Sequence, residues 1–179
     1  MLQSSTPPIA AAVHANLAVI RQGIAFLGAI GDERYAARVA VAYNASVGGH
    51  MRHIIEHYLG FLNGLEDGAL DYEKRARDPL IESSSAYAAD TLAAIADRLQ
   101  EVADRATDRA LCVHAETSET TVAASSVLRE LEFLLSHTIH HYALVAVMAR
   151  LQGFEPAAGF GIAPSTLKFQ QAQQPTAFA

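Results

Sequence analysis

Apolar residues recur at alternating steps of three and four along four separate stretches of the chain. This is the period of a helix that buries one face. The clearest stretch has its apolar positions at Val47, Met51, Ile54, Tyr58, Phe61 and Leu65. The pattern predicts helices over about residues 7–30, 46–65, 83–104 and 125–152. Ser46 is a plausible N-cap for the second helix, and Ser125 or Ser126 for the fourth.

The segments between and after these helices carry weaker patterns. Residues 67–82 are polar and include a proline, which is typical of a loop. Residues 109–123 contain β-branched residues in partial alternation, so a short hairpin and a plain loop both fit. Gly153 ends the fourth helix, and residues 153–179 are expected to form a strap that is ordered at first and frayed at its end. We expect one all-α domain over residues 1–179, a four-helix bundle with long connections.

Composition narrows the class of protein. A chain of 179 residues that is 51% hydrophobic can bury one good core. Lys and Arg number 13 against 19 Asp and Glu, the net charge is -6, and no basic run is present, so nucleic acid is not an expected partner. The longest uninterrupted apolar runs, such as residues 143–149, are much shorter than the roughly 20 residues that cross a bilayer, so we expect no membrane span. The single cysteine and the absence of a positively charged leader favour a cytoplasmic protein.

Histidine is the residue type with the most informative distribution. Six of the eight histidines fall in two windows, at His50, His53 and His57 and at His137, His140 and His141. Neutral imidazole is the commonest protein ligand for transition metals. His137 and His141 lie one helical turn apart, so both face one side of the fourth helix, whereas His140 points outward. One imidazole from the second helix would complete three ligands and leave an open coordination position.

Four segments of the chain match a known pattern when they are taken together. They are SVGGHMRHIIEH at residues 46–57, DYEKRARD at 71–78, LSHTIHH at 135–141 and FGIAPST at 160–166. Together they resemble the DinB-like superfamily of metal-dependent four-helix-bundle proteins, and the resemblance covers most of the chain.

The resemblance implies a divalent metal, most often zinc or nickel, with iron or manganese as alternatives. Carried onto this sequence, its ligands are His53 of the second helix and the pair His137 and His141 of the fourth. The helical wheel instead places His50 and His57 nearer the apolar seam than His53, so the choice within the first window stays open. The resemblance also implies a homodimer.

Members of this superfamily with known activity include thiol S-transferases that use a low-molecular-weight thiol and a thiol-dependent isomerase. A metal with an open position can bind and deprotonate a thiol or water. We therefore expect a metal-dependent enzyme with a small-molecule substrate, a thiol S-transferase first and a hydrolase second. The alternative is a non-catalytic binding or stress-associated protein that holds a structural metal or none.

The basic residues of the segment 71–78 have two interpretations. Lys74, Arg75 and Arg77 could receive a carboxylate or phosphate of a substrate. A solvated loop, in which Arg77 pairs with Asp78, Glu73 or Glu82, is the favoured interpretation. Glu56 is likewise expected to be a solvated helix residue more than a partner of the site.

Overall fold

A computed structural model of the protein describes residues 7–105, 107–118 and 120–173, apart from the side chain of Gln171. Most of this part of the chain is helical, in agreement with the expected all-α class, but the fold also contains two small sheets. The helices are α1 (Pro8–Ile30), α2 (Asp32–Ala36), α3 (Val47–Gly64), α4 (Pro79–Ser83), α5 (Ser85–Arg105), α6 (Val127–Leu151) and α7 (Pro164–Gln173), with a short 3-10 turn at Ala40–Ala42.

The four long helices α1, α3, α5 and α6 lie close to the ranges that periodicity predicts. Side-chain caps mark the starts of α3 and α6: the Ser46 side chain accepts a hydrogen bond from the Gly49 amide, and the Ser126 side chain accepts one from the Arg129 amide. Helix α1 packs along α5 and α6, and α3 packs against the same two helices. One hydrophobic core therefore contains residues of all four helices.

Two small sheets complete the described part of the fold. Strands β1 (Arg38–Val39) and β2 (Ala45–Ser46) pair antiparallel just before α3. Strand β3 (Ala69–Leu70) pairs parallel with β4 (Ala110–His114), which pairs antiparallel with β5 (Val122–Ser126). The hairpin alternative for residues 109–123 is thus the one that the structure adopts.

Two connections contain more regular structure than the sequence patterns predict. Residues 67–82 include β3 and the short helix α4, in addition to a loop. The C-terminal strap contains α7, and its expected frayed end at residues 174–179 lies outside the described residues.

Helix α1 alone, among the described residues, is long and apolar enough to cross a membrane by length and composition. Half of its most apolar window is buried inside the protein. The helix packs against α5 and α6, as a helix in a hydrophobic core does.

Candidate metal centre

The two histidine windows meet where α3 packs against α6. His50, His53 and His57 come from α3, while His137 and His141 come from α6. His140 is exposed, as its outward position on the helical wheel predicts. The structure therefore brings all five candidate ligand histidines together and leaves the sixth histidine at the surface.

His137 lies at the centre of this cluster. Its Nε2 is 3.1 Å from Nε2 of His53 and 3.1 Å from Nε2 of His141. On the far side of His141, its Nδ1 lies 3.0 Å from Nδ1 of His50. The ring nitrogens thus form a continuous chain across the two helices.

His57 is the most deeply placed histidine of α3, with 6% of its surface exposed. Its Nδ1 donates to the backbone carbonyl of His53 at 2.7 Å, so the lone pair of the neutral ring is on Nε2. One ring nitrogen from each of His53, His57 and His137 lies within 4.8 Å of the others. A hydrogen bond from the second ring nitrogen to a carbonyl is the arrangement that orients metal-binding histidines.

The environment of the cluster favours neutral imidazoles. Burial, together with neighbouring histidines, lowers the pKa of His53 and of His137 to about 3 each and that of His141 to about 4. Burial also lowers the pKa of His50 and of His57. Near neutral pH these rings therefore keep the lone pairs that a metal ion requires.

Hydrogen bonds within the cluster cannot give every ring nitrogen a matching donor or acceptor. A neutral imidazole has one N–H donor and one lone pair, yet Nε2 of His137 faces two other ring nitrogens. In addition, Nδ1 of His137 is buried without a hydrogen-bond partner among the described residues. A cation that accepts the lone pairs would relieve the crowding at Nε2.

The spacing of the nitrogens also suits a metal. Two nitrogens that bind one tetrahedral zinc ion are about 3.3 Å apart, because each lies about 2.0–2.1 Å from the metal. The observed separations of 3.1 Å in the cluster are close to this value. Imidazole nitrogen suits zinc, nickel and iron alike, so the donor set fits a divalent transition metal.

Arg75 covers the cluster from the segment between β3 and α4. Its Nη1 donates to Nδ1 of His53 at 2.8 Å, and 16% of its side chain is exposed. Lys74 and Arg77 are exposed, as a solvated loop requires. The favoured interpretation of the basic segment is thus wrong for Arg75, because residues 71–76 fold back over α3.

The expected ion pairs of Arg77 are also absent among the described residues. Glu82 instead binds Arg52, with 2.9 Å between Oε2 and Nη1, and Glu73 lies 3.5 Å from Nη2 of Arg75. The Asp78 side chain accepts a hydrogen bond from the Leu80 amide and so caps α4. The acidic neighbours of Arg77 therefore have other partners.

Glu56 is buried, with 5% of its surface exposed, whereas the sequence pattern favours a solvated residue. The covering segment explains the difference, since Glu56 and Arg75 line the same two cavities. One of them has a volume of about 300 Å³, and its walls include Arg52, Glu56 and Arg75 together with His50, His53 and His141. A small molecule in this cavity would lie directly against the histidine cluster.

The fold and the cluster together define a class of mostly helical proteins with a candidate histidine metal site between two core helices. The model of the DinB family matches residues 3–163, and the chain belongs to this family. The resemblance that the sequence motifs indicate is thereby confirmed. No curated protein and no solved structure matches the chain.

Proposed function

We propose that this protein is a metal-dependent enzyme in which His53, His137 and His141 hold one divalent ion. The observation that carries the proposal is the position of His137 Nε2, 3.1 Å from Nε2 of both other histidines. Zinc or nickel is the proposed metal, and iron or manganese would also accept this donor set. The proposal includes a single domain in which α1, α3, α5 and α6 form a four-helix bundle, the architecture that builds metal sites from facing helices.

When bound, a divalent ion with an open position lowers the pKa of a thiol or water and so supplies a nucleophile near neutral pH. The residues around it have separate tasks. His50 contacts the second ring nitrogen of His141 and so fixes the orientation of that ring. The segment that carries Arg75 covers the cluster and limits the access of water.

Thiol transfer is the reaction that we propose first, and hydrolysis the second. Family membership supports a low-molecular-weight thiol as one reactant, and the imidazole donor set suits zinc or nickel, which bind thiolates. The cavity of about 300 Å³ beside the histidines has the size of a small-molecule site. A cytoplasmic homodimer without a nucleic-acid or membrane partner completes the proposal.

A non-catalytic protein with a structural metal is the second candidate. A nitrogen of His57 lies within 4.8 Å of nitrogens of His53 and His137, so His57 is the candidate for a fourth protein ligand. A closed site with four protein ligands is typical of structural zinc, whereas three ligands and water are typical of catalytic zinc. The number of ligands therefore separates the two candidates.

Metal analysis tests the proposal directly. The protein is purified without a histidine tag, its metal content is measured, and the metal-free form is titrated with zinc and with nickel. We expect one ion per chain, and a loss of affinity of about tenfold or more in H53A, H137A and H141A. The exposed His140 provides the matched control, and H140A keeps wild-type affinity. The proposal is rejected if the purified protein contains no metal and if added metal does not raise its thermal stability.

Cobalt substitution then separates the catalytic candidate from the structural one. In a three-ligand site, a thiol binds the cobalt and adds a charge-transfer band, and H57A still binds the metal. A site closed by His57 shows no such band and loses metal affinity in H57A. The second pattern would favour the structural role.

A further inference from the structure

Two arginines beside the histidines share an unusual pattern of contacts. Each uses Nη1 in one interaction: Arg52 with Glu82 at 2.9 Å, and Arg75 with His53 at 2.8 Å. Each leaves Nε buried and without a hydrogen-bond partner in the described part of the chain. Both side chains line the cavity of about 300 Å³ that adjoins the histidine cluster.

The free edge of each guanidinium group suits a carboxylate. Nε and Nη2 form a planar pair of donors that matches the two oxygens of one carboxylate. Among the described residues, Nη2 of Arg75 has one long contact of 3.5 Å, to the half-exposed Glu73. Arg75 can therefore keep its bond to His53, while its buried Nε still needs an acceptor that the described residues do not supply.

Glu56 adds the opposite charge to the same cavity. Its Oε1 is buried and accepts no hydrogen bond from the described residues. A purely anionic ligand would be repelled by this carboxylate, and a purely cationic ligand would be repelled by the two arginines. A ligand that carries both charges would satisfy all three groups.

We propose that this cavity binds a small zwitterion, with its carboxylate at Arg75 and Arg52 and its ammonium group at Glu56. Glu56 and Arg75 also line an adjoining cavity of about 410 Å³, which leaves room for a longer substituent along α3. The recognition of charge does not depend on a metal. Only the assignment of the zwitterion as the substrate rests on the proposed function.

Binding of three simple probes to the metal-free protein tests this inference. L-alanine carries both charges, propionate lacks the ammonium group, and ethylamine lacks the carboxylate. The chelator used to remove metal is itself removed, and each probe is titrated while the ¹⁵N NMR signals of the arginine Nε–H groups are recorded. We expect L-alanine to shift the signals of Arg52 and Arg75 and to bind at least fivefold more tightly than either other probe. Equal affinity for L-alanine and one of the others, or no shift, would overturn the inference.

Two variants with matched controls test which side chain binds each charged group of L-alanine. R75M is expected to weaken L-alanine about tenfold, to the level of ethylamine, while R77M in the same segment has no effect because Arg77 is exposed. E56Q is expected to bring L-alanine to the level of propionate, and E132Q, at an exposed position of α6, leaves it unchanged. Circular dichroism checks the helical content of each variant. If R75M loses its helical signal, R75K is used in its place. Lysine keeps the positive charge but lacks the bidentate edge, so R75K is expected to bind L-alanine at least threefold more weakly than the wild type.

The probes also distinguish a failure of this inference from a failure of the proposed function. Wild-type protein that selects L-alanine but binds no metal would reject the proposed function alone. Protein that binds metal at the histidines but does not distinguish the three probes would reject the zwitterion site alone.

Discussion

Nη1 of Arg75 lies 2.8 Å from Nδ1 of His53. Because a guanidinium group can only donate, Nδ1 of His53 must be the acceptor, and the neutral ring then carries its proton on Nε2. Nε2 is the atom that faces His137 at 3.1 Å. For His53 to bind a metal through Nε2, the proton must move to Nδ1 and Arg75 must turn away. Arg75 and a metal ion therefore compete for His53.

This competition predicts that Arg75→Met binds zinc about tenfold more tightly than the wild type. The reason is that a hydrogen bond to a charged group contributes about 1.5 kcal/mol, and the metal no longer has to break it. A competition titration against a chromophoric chelator at pH 7 measures the change. Arg77→Met, from the exposed neighbour, is expected to leave the affinity unchanged. Weaker zinc binding by R75M would show instead that Arg75 supports the metal-bound state.

The buried histidines predict that the metal-free protein loses stability in mild acid. His53 and His137 have a pKa of about 3 in the folded protein, against about 6.5 in an unfolded chain. As the pH falls below about 6.5 the unfolded state takes up protons first, so stability is fully present above this pH and is lost progressively towards pH 3. We expect the Tm, measured in a chelator, to be several degrees lower at pH 5 than at pH 7.5.

Two histidine variants check the origin of this pH dependence. His137→Asn removes one buried group, so its Tm changes less between the two pH values than that of the wild type. His140→Asn removes an exposed histidine and is expected to keep the wild-type change. A Tm that is equal or higher at pH 5 in the wild type would contradict the assignment.

The buried hydrogen bonds of Tyr58 are expected to contribute to the free energy of unfolding. Its hydroxyl donates to Oδ1 of Asn16 at 2.7 Å and accepts from the Thr138 hydroxyl at 3.2 Å, and all three residues are fully buried. Tyr58→Phe leaves Oδ1 of Asn16 without a donor, which costs about 1–3 kcal/mol of unfolding free energy. Urea denaturation measures the loss. Tyr43→Phe is the control, because Tyr43 is fully exposed and its hydroxyl is free to bind water.

Two glycine substitutions are expected to change stability in opposite directions, because Gly48 lies at the contact between α3 and α4 and Gly28 lies in open space on α1. A Cβ on Gly48 would lie 2.0 Å from the backbone oxygen of Glu82, so Gly48→Ala must push the two helices apart. We expect it to lower the unfolding free energy by about 2–3 kcal/mol. A Cβ on Gly28, inside α1, would have no atom of the described residues within 4 Å, so Gly28→Ala is expected to stabilise by about 0.5–1 kcal/mol through helix propensity. Equal effects of the two changes in thermal unfolding would contradict this contact.

Local patterns are sufficient to predict the long helices of this chain. The apolar period and the serine caps act within a few residues, which is why the observed starts of α3 and α6 follow Ser46 and Ser126. The same local geometry predicts that His137 and His141 share a face and that His140 does not. Strand β3 is different, because its two residues pair with residues more than forty positions away, and no local pattern encodes that pairing.

The chemistry of the candidate site depends much more on contacts between distant segments. The burial of Glu56 and the contact of Arg75 with His53 both arise because residues 71–76 fold back over α3. A helical wheel describes one helix and not what covers it, so it assigns Glu56 to solvent. It also ranks His50, His53 and His57 against one another, whereas the packing of α3 on α6 places all three in one cluster.

The sequence by itself determined the four long helices, the family and the two groups of histidines, because periodicity, caps and motifs are properties of short segments. Only the tertiary structure decided that His137 stands between His53 and His141, that Arg75 covers them, and that a charged cavity opens beside them. These relationships join segments that lie far apart in the chain, and they form only when burial of the apolar faces brings α3, α6 and the covering segment together.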